Sequence, residues 1–488
     1  METLQLFVDG GWRDAADGAT YESQNPYSGE PWTRVPDAGA ADVDAAVEAA
    51  ERALAGPWGA ASGFERARLL HRLADLIERD AAELAAAESR DNGKLLREME
   101  GQMNYLPAWY RWFAGLADKL HGETIPSDRP NFFVYTRREP VGVVAAIVPW
   151  NSPLLLTALK LAPALAAGCT VVLKPSDSTP VTGLLFARLL EEAGFPAGVL
   201  NILTGQSPEL GKALVSHPGV AKVAFTGSPQ VGAAVAAAAG ERLIPVLLEL
   251  GGKSANIVFA DANLEAAVNG VVAGVFAASG QTCVAGSRLL VERSVAAEVR
   301  DRVVERAQAI RLGDPLDPAT EMGPLANDRQ VETVSGFVER ARGEGVEIAT
   351  GGGVSPELGG RFFEPTVVTG VRPDQEIVRE ELFGPVLVVL EFDDDEEAVA
   401  LANSTRFGLA AGVWTGSVGR AHRVAERLRA GSVFVNDYRL MAPNVPFGGF
   451  GMSGFGRENG IEAISEFTAT KAVWIELDGN VRDPFKLG

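Results

Sequence analysis

Cys283 is one of two cysteines in 488 residues, and it stands in Gly280-Gln281-Thr282-Cys283-Val284-Ala285-Gly286. An apolar, small-residue helix pattern runs up to Gly280 and stops, and the strand-like run Leu289-Leu290-Val291 follows. The thiol therefore belongs to a helix-to-strand junction, where backbone N–H groups are left free and a side chain can face a cleft. A lone cysteine is usually a small, inert, buried hydrophobe. Two upstream residues change that reading. Glu249 stands in Leu248-Glu249-Leu250-Gly251-Gly252-Lys253, and Asn151 in Pro149-Trp150-Asn151-Ser152-Pro153. A thiol nucleophile, a carboxylate base and an amide donor make a usable set for chemistry on a carbonyl carbon. No histidine lies in these motifs to pair with Cys283, which argues against a cysteine acyl hydrolase working without a cofactor.

Groups this far apart in the chain need a sheet to bring them together. From Val141 the pattern alternates strand and helix: strand 143–148, helix 154–167 ended by Gly168, strand 170–173, helix 179–193 ended by Gly194, then 199–203, 209–215, 223–225 and 231–239. Buried apolar strands spaced by helices imply a parallel sheet covered on both faces. Ligands of such sheets bind beyond the carboxyl ends of the strands, where Lys174, Thr226-Gly227-Ser228 and Glu249 fall. A second alternation runs from strand 256–259 through 264–278, 289–291, 296–310 and 337–342 to strand 386–390. The fold class expected is α/β, with two doubly wound parallel-sheet units. Ahead of them, residues 1–35 are turn-rich, and helices are expected over 41–55, 64–90 and 97–120. The aromatic set Tyr105, Trp109, Tyr110, Trp112 and Phe113 reads as core packing. Residues 123–140 leave the helical body as a projecting extended segment, and the tail from 464 is extended enough to pair with it. The acidic run 393–397 reads as a solvated helix start.

The formal net charge of −20 excludes a nucleic-acid binder, whose lysines and arginines must neutralise phosphates. Hydrophobic residues make up 47%, enough for sizeable cores in two or three domains. The N-terminal stretch has no basic region followed by an apolar one, and no apolar run is long enough to span a bilayer as a helix. Two cysteines build no disulfide framework, and a nucleophilic thiol must stay reduced, so the cytoplasm is the expected compartment. Four scattered histidines and the lack of a CxxC or HxxxH spacing argue against a metal site.

No GxGxxG follows the first strand of the alternation. Phe225-Thr226-Gly227-Ser228-Pro229-Gln230-Val231-Gly232 offers a looser substitute: a strand running into a helix whose N-terminus presents free N–H groups to a phosphate. Ser228 can cap that helix. Lys174 at its strand end and Asp177 beyond it read either as ligands of ribose hydroxyls or as plain surface charge.

Seven stretches, in order, resemble the aldehyde dehydrogenase superfamily over essentially the full chain. They are Pro149-Trp150-Asn151, Lys174-Pro175-Ser176, Phe225-Thr226-Gly227-Ser228, Leu248–Lys253, Gly280-Gln281-Thr282-Cys283, Glu380-Glu381-Leu382-Phe383-Gly384-Pro385 and Pro446-Phe447-Gly448-Gly449. The resemblance implies a cofactor-binding domain (1–122 and 141–250), a catalytic domain (251–463) and a small β oligomerisation element (123–140 and 464–488). It also implies a homodimer or homotetramer acting on a small-molecule aldehyde with NAD. Carried over by position, Cys283 is the nucleophile, Glu249 the general base and Asn151 the oxyanion donor. Val148, Pro149, Trp150, Lys174, Ser176, Asp177, Gly227, Ser228, Val231, Gly232, Leu250, Gly251, Gln330, Glu381 and Phe383 are implied to line the cofactor. Among these, Lys174, Glu381 and Gln330 are ribose ligands, and Phe383 packs by the nicotinamide ribose.

Asp177 stands where NAD-preferring relatives often carry Glu. Either carboxylate repels a 2′-phosphate, but the shorter side chain leaves room, so NAD is expected and NADP stays open. The implied substrate tunnel is Tyr105, Ser152, Leu159, Thr282, Val284, Met441 and Phe447. With no Arg or Lys among those positions, an apolar or aromatic aldehyde is expected ahead of a semialdehyde acid. Glu249 argues against a CoA-acylating relative, which needs no such base, and the retained triplet argues against a non-catalytic use of the scaffold.

Overall fold

A computed structural model describes residues 2–479 and 483–485. It contains the two expected α/β units, a third, smaller sheet, and a fourth formed by Glu2–Thr3, Pro31–Pro36 and Thr20–Gln24 near the N-terminus. The first large sheet has eight strands. Five are parallel: Val246–Glu249, Val220–Thr226, Val143–Ile147, Thr170–Lys174 and Leu200–Ile202, in that spatial order. Chain order runs outward from Val143–Ile147 in one direction, then jumps back to its other side at Val220–Thr226. The crevice beside that reversal is where such sheets take a ligand. The edges are antiparallel. Leu6–Val8 and Gly11–Arg13 extend one side, so part of the turn-rich N-terminal stretch builds this sheet's edge. The short strand Gly454–Phe455 closes the other edge against Val246–Glu249, far from its own neighbours in sequence.

The second sheet has seven strands. Thr366–Thr369, Val386–Phe392, Arg288–Glu292, Ala255–Val258, Ala410–Trp414 and Ser432–Val435 are parallel, and Glu347–Thr350 adds antiparallel at one edge. In the third sheet Thr468–Glu476 pairs antiparallel with Phe132–Pro140 from Thr468↔Pro140 to Glu476↔Phe132, and Thr124–Ile125 adds beyond it. The pairing expected between the projecting segment and the tail is therefore formed within one chain. Residues 480–482 and 486–488 of that expected element lie outside the described residues.

Two helices expected as single rods are each broken. Gly63–Arg79 and Ala81–Asn92 meet at Asp80, whose φ −103 and ψ 14 leave the helical region. Leu96–Tyr105 and Pro107–Ala117 part at Pro107, which has no N–H to continue the ladder and suits a first helical turn instead. The start of Gly63–Arg79 is locked by Ser62 and Glu65, each bonding the other's backbone N–H. Leu70, Leu73 and Ile77 on this helix are buried in the first core, as are Trp109, Tyr110 and Phe113. Asp394 caps the helix Asp395–Ala402, so the acidic run does start a helix. Among the described residues, no helix is long and apolar enough to cross a membrane.

Candidate active site

The first sheet delivers its residues at strand carboxyl ends. Asn151 follows Val143–Ile147, Lys174 ends its strand, Gly227 follows Val220–Thr226, and Glu249 ends Val246–Glu249. The second sheet delivers from the opposite side: Cys283 lies in the loop entering Arg288–Glu292, and Glu381 and Phe383 in the loop entering Val386–Phe392. Amino-end loops of one sheet thus face carboxyl-end loops of the other.

The loop carrying the thiol is conformationally costly. After the helix Leu264–Phe276, Ala278, Ser279 and Gly280 take φ values of 56, 54 and 70 in succession. A left-handed residue other than glycine costs roughly 1–2 kcal/mol. Three side chains hold the loop there. Glu98 Oε1 accepts from the Ala278 N–H at 3.0 Å, Ser279 Oγ donates to the Gly323 carbonyl at 2.8 Å, and Gln281 Oε1 accepts from the Ala326 N–H at 2.9 Å. A Cβ at Gly280 would meet the Gly384 carbonyl. Gly280→Ala is therefore expected to cost about 3 kcal/mol, a left-handed penalty plus steric displacement. Gly343→Ala, in an open helical position, serves as the control. Thermal melts should show a clear drop for the first and none for the second.

Convergence follows from a chain of contacts. Asn151 Nδ2 donates to the Gln281 carbonyl at 3.1 Å, which sets the amide beside the thiol loop. The amide's second N–H has no acceptor among the described residues. A Cβ at Gly252, three residues after Glu249, would come 2.5 Å from the Cys283 carbonyl, so these two loops lie backbone on backbone. Val284, Leu409, Ala410 and Phe447 form a small apolar cluster with Cys283 and Met441 packed against it. Next to Phe447, a Cβ at Gly448 would lie 2.8 Å from Glu249 Oε1. The loops that carry thiol, carboxylate and amide thus lie against one another.

Burial pushes the Cys283 thiol up to about 12, with the Glu381 and Glu249 carboxylates adding to the shift. The backbone N–H groups of Val284 and Cys283 itself point at the sulfur and act the other way. Glu249 is 3% exposed, and neither carboxyl oxygen has a hydrogen-bond partner. Burial raises it well above the usual carboxylate range, Glu458 adds to that, and Lys160 opposes it. Lys160 and Glu458 form a fully buried pair behind it, Nζ to Oε1 at 2.5 Å, with Thr226 Oγ1 also on the ammonium at 2.6 Å. Sequence reasoning passed over both. Lys160 was visible as the one charge in an apolar helix, but its partner is remote in sequence.

Around the crevice, Ser228 caps Pro229–Glu241 by accepting from the Val231 N–H at 3.3 Å, leaving an open helix N-terminus. Gly232 packs so close that a Cβ would come 2.5 Å from Leu250. Lys174, Asp177 and Asp37 gather at the next strand end, where burial lowers the lysine and the two aspartates oppose that shift. Ser176 donates to Asp177 at 3.1 Å. On the far side, Glu381 Oε1 accepts from the Gly252 N–H at 2.9 Å, and the missing Cβ of Gly251 makes room for the other oxygen. Burial brings the Glu381 carboxyl up to about 7. Phe383, left-handed at φ 56, sets its ring edge-on to Trp150, centroids 5.2 Å apart.

Two expected residues sit differently. Gln330 Nε2 donates to the Leu382 and Phe383 carbonyls, both at 2.8 Å, so it holds the loop presenting Glu381 and Phe383. Leu159 is fully enclosed in the first core and reaches no open wall. Tyr105 is exposed, with its ring edge against Trp109. Thr282 is partly buried beside the thiol, and Ser152, 7% exposed, follows Asn151 on the same wall.

The aldehyde dehydrogenase family model matches residues 12–473. The chain belongs to that family. It is 48% identical over 489 residues to (Z)-2-((N-methylformamido)methylene)-5-hydroxybutyrolactone dehydrogenase of Acinetobacter baylyi, covering 99% of each chain. An aldehyde dehydrogenase from Bacillus cereus, solved as an NAD+ complex, superposes with TM-score 0.95 at 44% identity, covering 98% of this chain and 97% of that one. Betaine aldehyde dehydrogenase from Staphylococcus aureus, also solved with NAD+, superposes with TM-score 0.96 at 37% identity, over 98% of this chain and 95% of that one.

Proposed function

We propose that this chain oxidises an aldehyde to its carboxylic acid, with NAD as cofactor and Cys283, Glu249 and Asn151 as its catalytic residues. The observation that carries this is Glu249: a buried carboxylate with both oxygens unpartnered, beside the one accessible thiol. A buried polar group left unmatched costs about 1–3 kcal/mol, so its retention calls for a use.

Cys283 sulfur bonds to the aldehyde carbon, and its proton leaves to a base or water. The carbonyl oxygen, now carrying charge, is held by the free N–H of Asn151 and the Cys283 backbone N–H. NAD held in the crevice would supply the acceptor for the hydride this carbon loses, and that loss leaves Cys283 carrying a thioester. Glu249 then takes a proton from water, the water oxygen bonds to the acyl carbon, the C–S bond breaks, and the acid leaves as the thiol is restored.

For the cofactor, the open N-terminus at Ser228 and Gly227 suits the pyrophosphate, with Val231 and Gly232 on the first turn. Val148, Pro149, Trp150, Leu250 and Gly251 line the crevice. Lys174 and Asp177, with Ser176, suit the adenosine ribose, and Glu381 and Phe383 the nicotinamide ribose. Asp177 repels a 2′-phosphate, so NAD is preferred over NADP. The apolar cluster of Val284, Phe447 and Met441 supports one apolar wall for the substrate. We assign 1–122 with 141–250 to cofactor binding and 251–463 to catalysis, with the strand Gly454–Phe455 of the second crossing over to pair with Val246–Glu249 of the first. The exposed Trp474 and Ile475 on Thr468–Glu476 suit assembly as a homodimer or homotetramer. A free nucleophilic thiol suits the reducing cytoplasm.

NADH formation from an aldehyde panel, with and without CoA and with NADP in place of NAD, tests the reading. Turnover with NAD and no CoA, slower with NADP, is expected. Turnover only with CoA would replace the base assigned to Glu249 by a thiol acceptor, and no turnover with any aldehyde would remove the reading.

A further inference from the structure

Arg361 stands on the loop between Glu347–Thr350 and Thr366–Thr369, with its side chain 9% exposed. Nε and Nη2 donate to the two oxygens of Asp328, at 2.7 and 3.1 Å, and Nη2 also donates to Gln24 Oε1 at 2.9 Å. The Arg361 carbonyl accepts from the Leu325 N–H at 2.8 Å. Asp328 is largely exposed, so this grip orients more than it stabilises. Gln24 ends its strand in the N-terminal sheet, and beside it Tyr27 sets its ring edge-on to Phe362, centroids 6.1 Å apart. That sheet is itself fastened to the first α/β unit. Ser23 Oγ donates to Asp91 at 2.6 Å, and the other Asp91 oxygen accepts from the Val181 N–H at 3.0 Å. One guanidinium thus ties the strip leading into the helix Asp328–Gly343 to the opposite unit.

The strip fastened in this way carries the props of two loops. The Gly323 carbonyl accepts from Ser279 Oγ and the Ala326 N–H donates to Gln281 Oε1, which are two of the three supports of the thiol loop. Asn327 caps the following helix through the Gln330 N–H, and Gln330 Nε2 holds the Leu382 and Phe383 carbonyls. Residues 323–330 therefore support both the loop of Cys283 and the loop of Glu381 and Phe383. The two loops have no such common support elsewhere in chain order, since they lie about a hundred residues apart. Their relative placement matters for hydride transfer, because a displacement of about 1 Å can cost about 10²-fold in rate.

We propose that Arg361 is a positioning residue for hydride transfer: by fastening residues 323–330 to Gln24, it sets the Cys283 loop and the Phe383 loop in register with the cofactor crevice of the first unit. It acts through Gly323, Ala326 and Gln330, not by touching substrate or cofactor. The inference rests on the NAD-dependent aldehyde oxidation proposed above.

The test uses the full chain with NAD and hexanal and follows the first NADH per site by rapid mixing. Arg361→Met should slow that step tenfold or more. Hexanal carrying deuterium on its aldehyde carbon should show an isotope effect on the step at least as large as in the wild type, marking hydride transfer as the slowed event. Affinity for AMP should stay within twofold, because Lys174, Ser176 and Asp177 lie on the first sheet, away from the residues displaced. Arg361→Lys reaches Asp328 or Gln24 but lacks the fork that takes both, so it should recover only part of the rate. Gln24→Leu cuts the tie and leaves the Asp328 pair; it should slow the step at least threefold and decides the matter should Arg361→Met fail to fold. A first-NADH rate within twofold of wild type in the folded variants would overturn the inference. So would a loss of AMP affinity in proportion to the loss of rate, which would mean general loosening. In both cases the working wild type leaves the proposed reaction standing. A wild type that forms no NADH from any aldehyde would strike that reaction, and this inference with it.

Discussion

Cys283→Ala should abolish aldehyde oxidation, by about 10⁴-fold or more, while NAD still binds. The loss is this large because no second thiol can substitute. Cys169 is fully enclosed, its sulfur is 3.2 Å from the Phe467 carbonyl, and burial raises it to about 11. Binding should survive because the groups assigned to the cofactor hang on other elements. Ser228 caps its helix through Val231, Glu381 is held by Gly252, and Lys174 ends a strand, none of them by way of the sulfur. The fold should survive too, since an alanine removes only the sulfur from a small apolar cluster. Steady-state NADH formation and titration of NAD by protein fluorescence check the two halves separately. Near-normal turnover in the variant would take away the nucleophile assignment. Loss of NAD binding would show that the sulfur shapes the crevice as well.

What was legible in the sequence depended on how local its cause is. Helix ends at Gly168 and Gly194 were readable because a left-handed cap favours glycine, and both take positive φ. Asn151, Glu249 and Cys283 were readable as chemistry because their types match a carbonyl reaction and their stretches match a family. The break at Asp80 was not, since no glycine or proline marks it. The turns of Ala278 and Ser279 were hidden for a related reason: neither residue favours the left-handed region, and distant partners at Glu98 and Gly323 impose it. Distance in sequence also hid the closing strand Gly454–Phe455, the Lys160–Glu458 pair, and the hold of Gln330 on the Phe383 loop. A short list of motif positions names residues that touch a ligand.

The second large effect is expected at Glu249, and it separates the two halves of the reaction. Glu249→Gln should give a burst of about one NADH per active site, followed by steady turnover slowed by about 10²–10⁴-fold, the usual worth of a general base. Forming the thioester needs Cys283 and the Asn151 amide, which remain. Releasing the acid needs water deprotonated, and glutamine cannot accept that proton. Size is nearly unchanged, and Glu249 makes no hydrogen bond that the substitution would break, so folding should not confound the result. The wild-type pH profile follows from the same surroundings. Only the ionised carboxylate is a base, and burial with Glu458 raises its pKa, so release should weaken on acidification at a higher pH than an ordinary glutamate would give. Removing the opposing charge with Lys160→Met should move that limb higher still. Rapid-mix measurement of burst and steady rates across pH checks both. A Glu249→Gln enzyme with full steady turnover, or one with no burst, would contradict the division of labour: the first by finding another base for water, the second by placing Glu249 in the attack on the aldehyde.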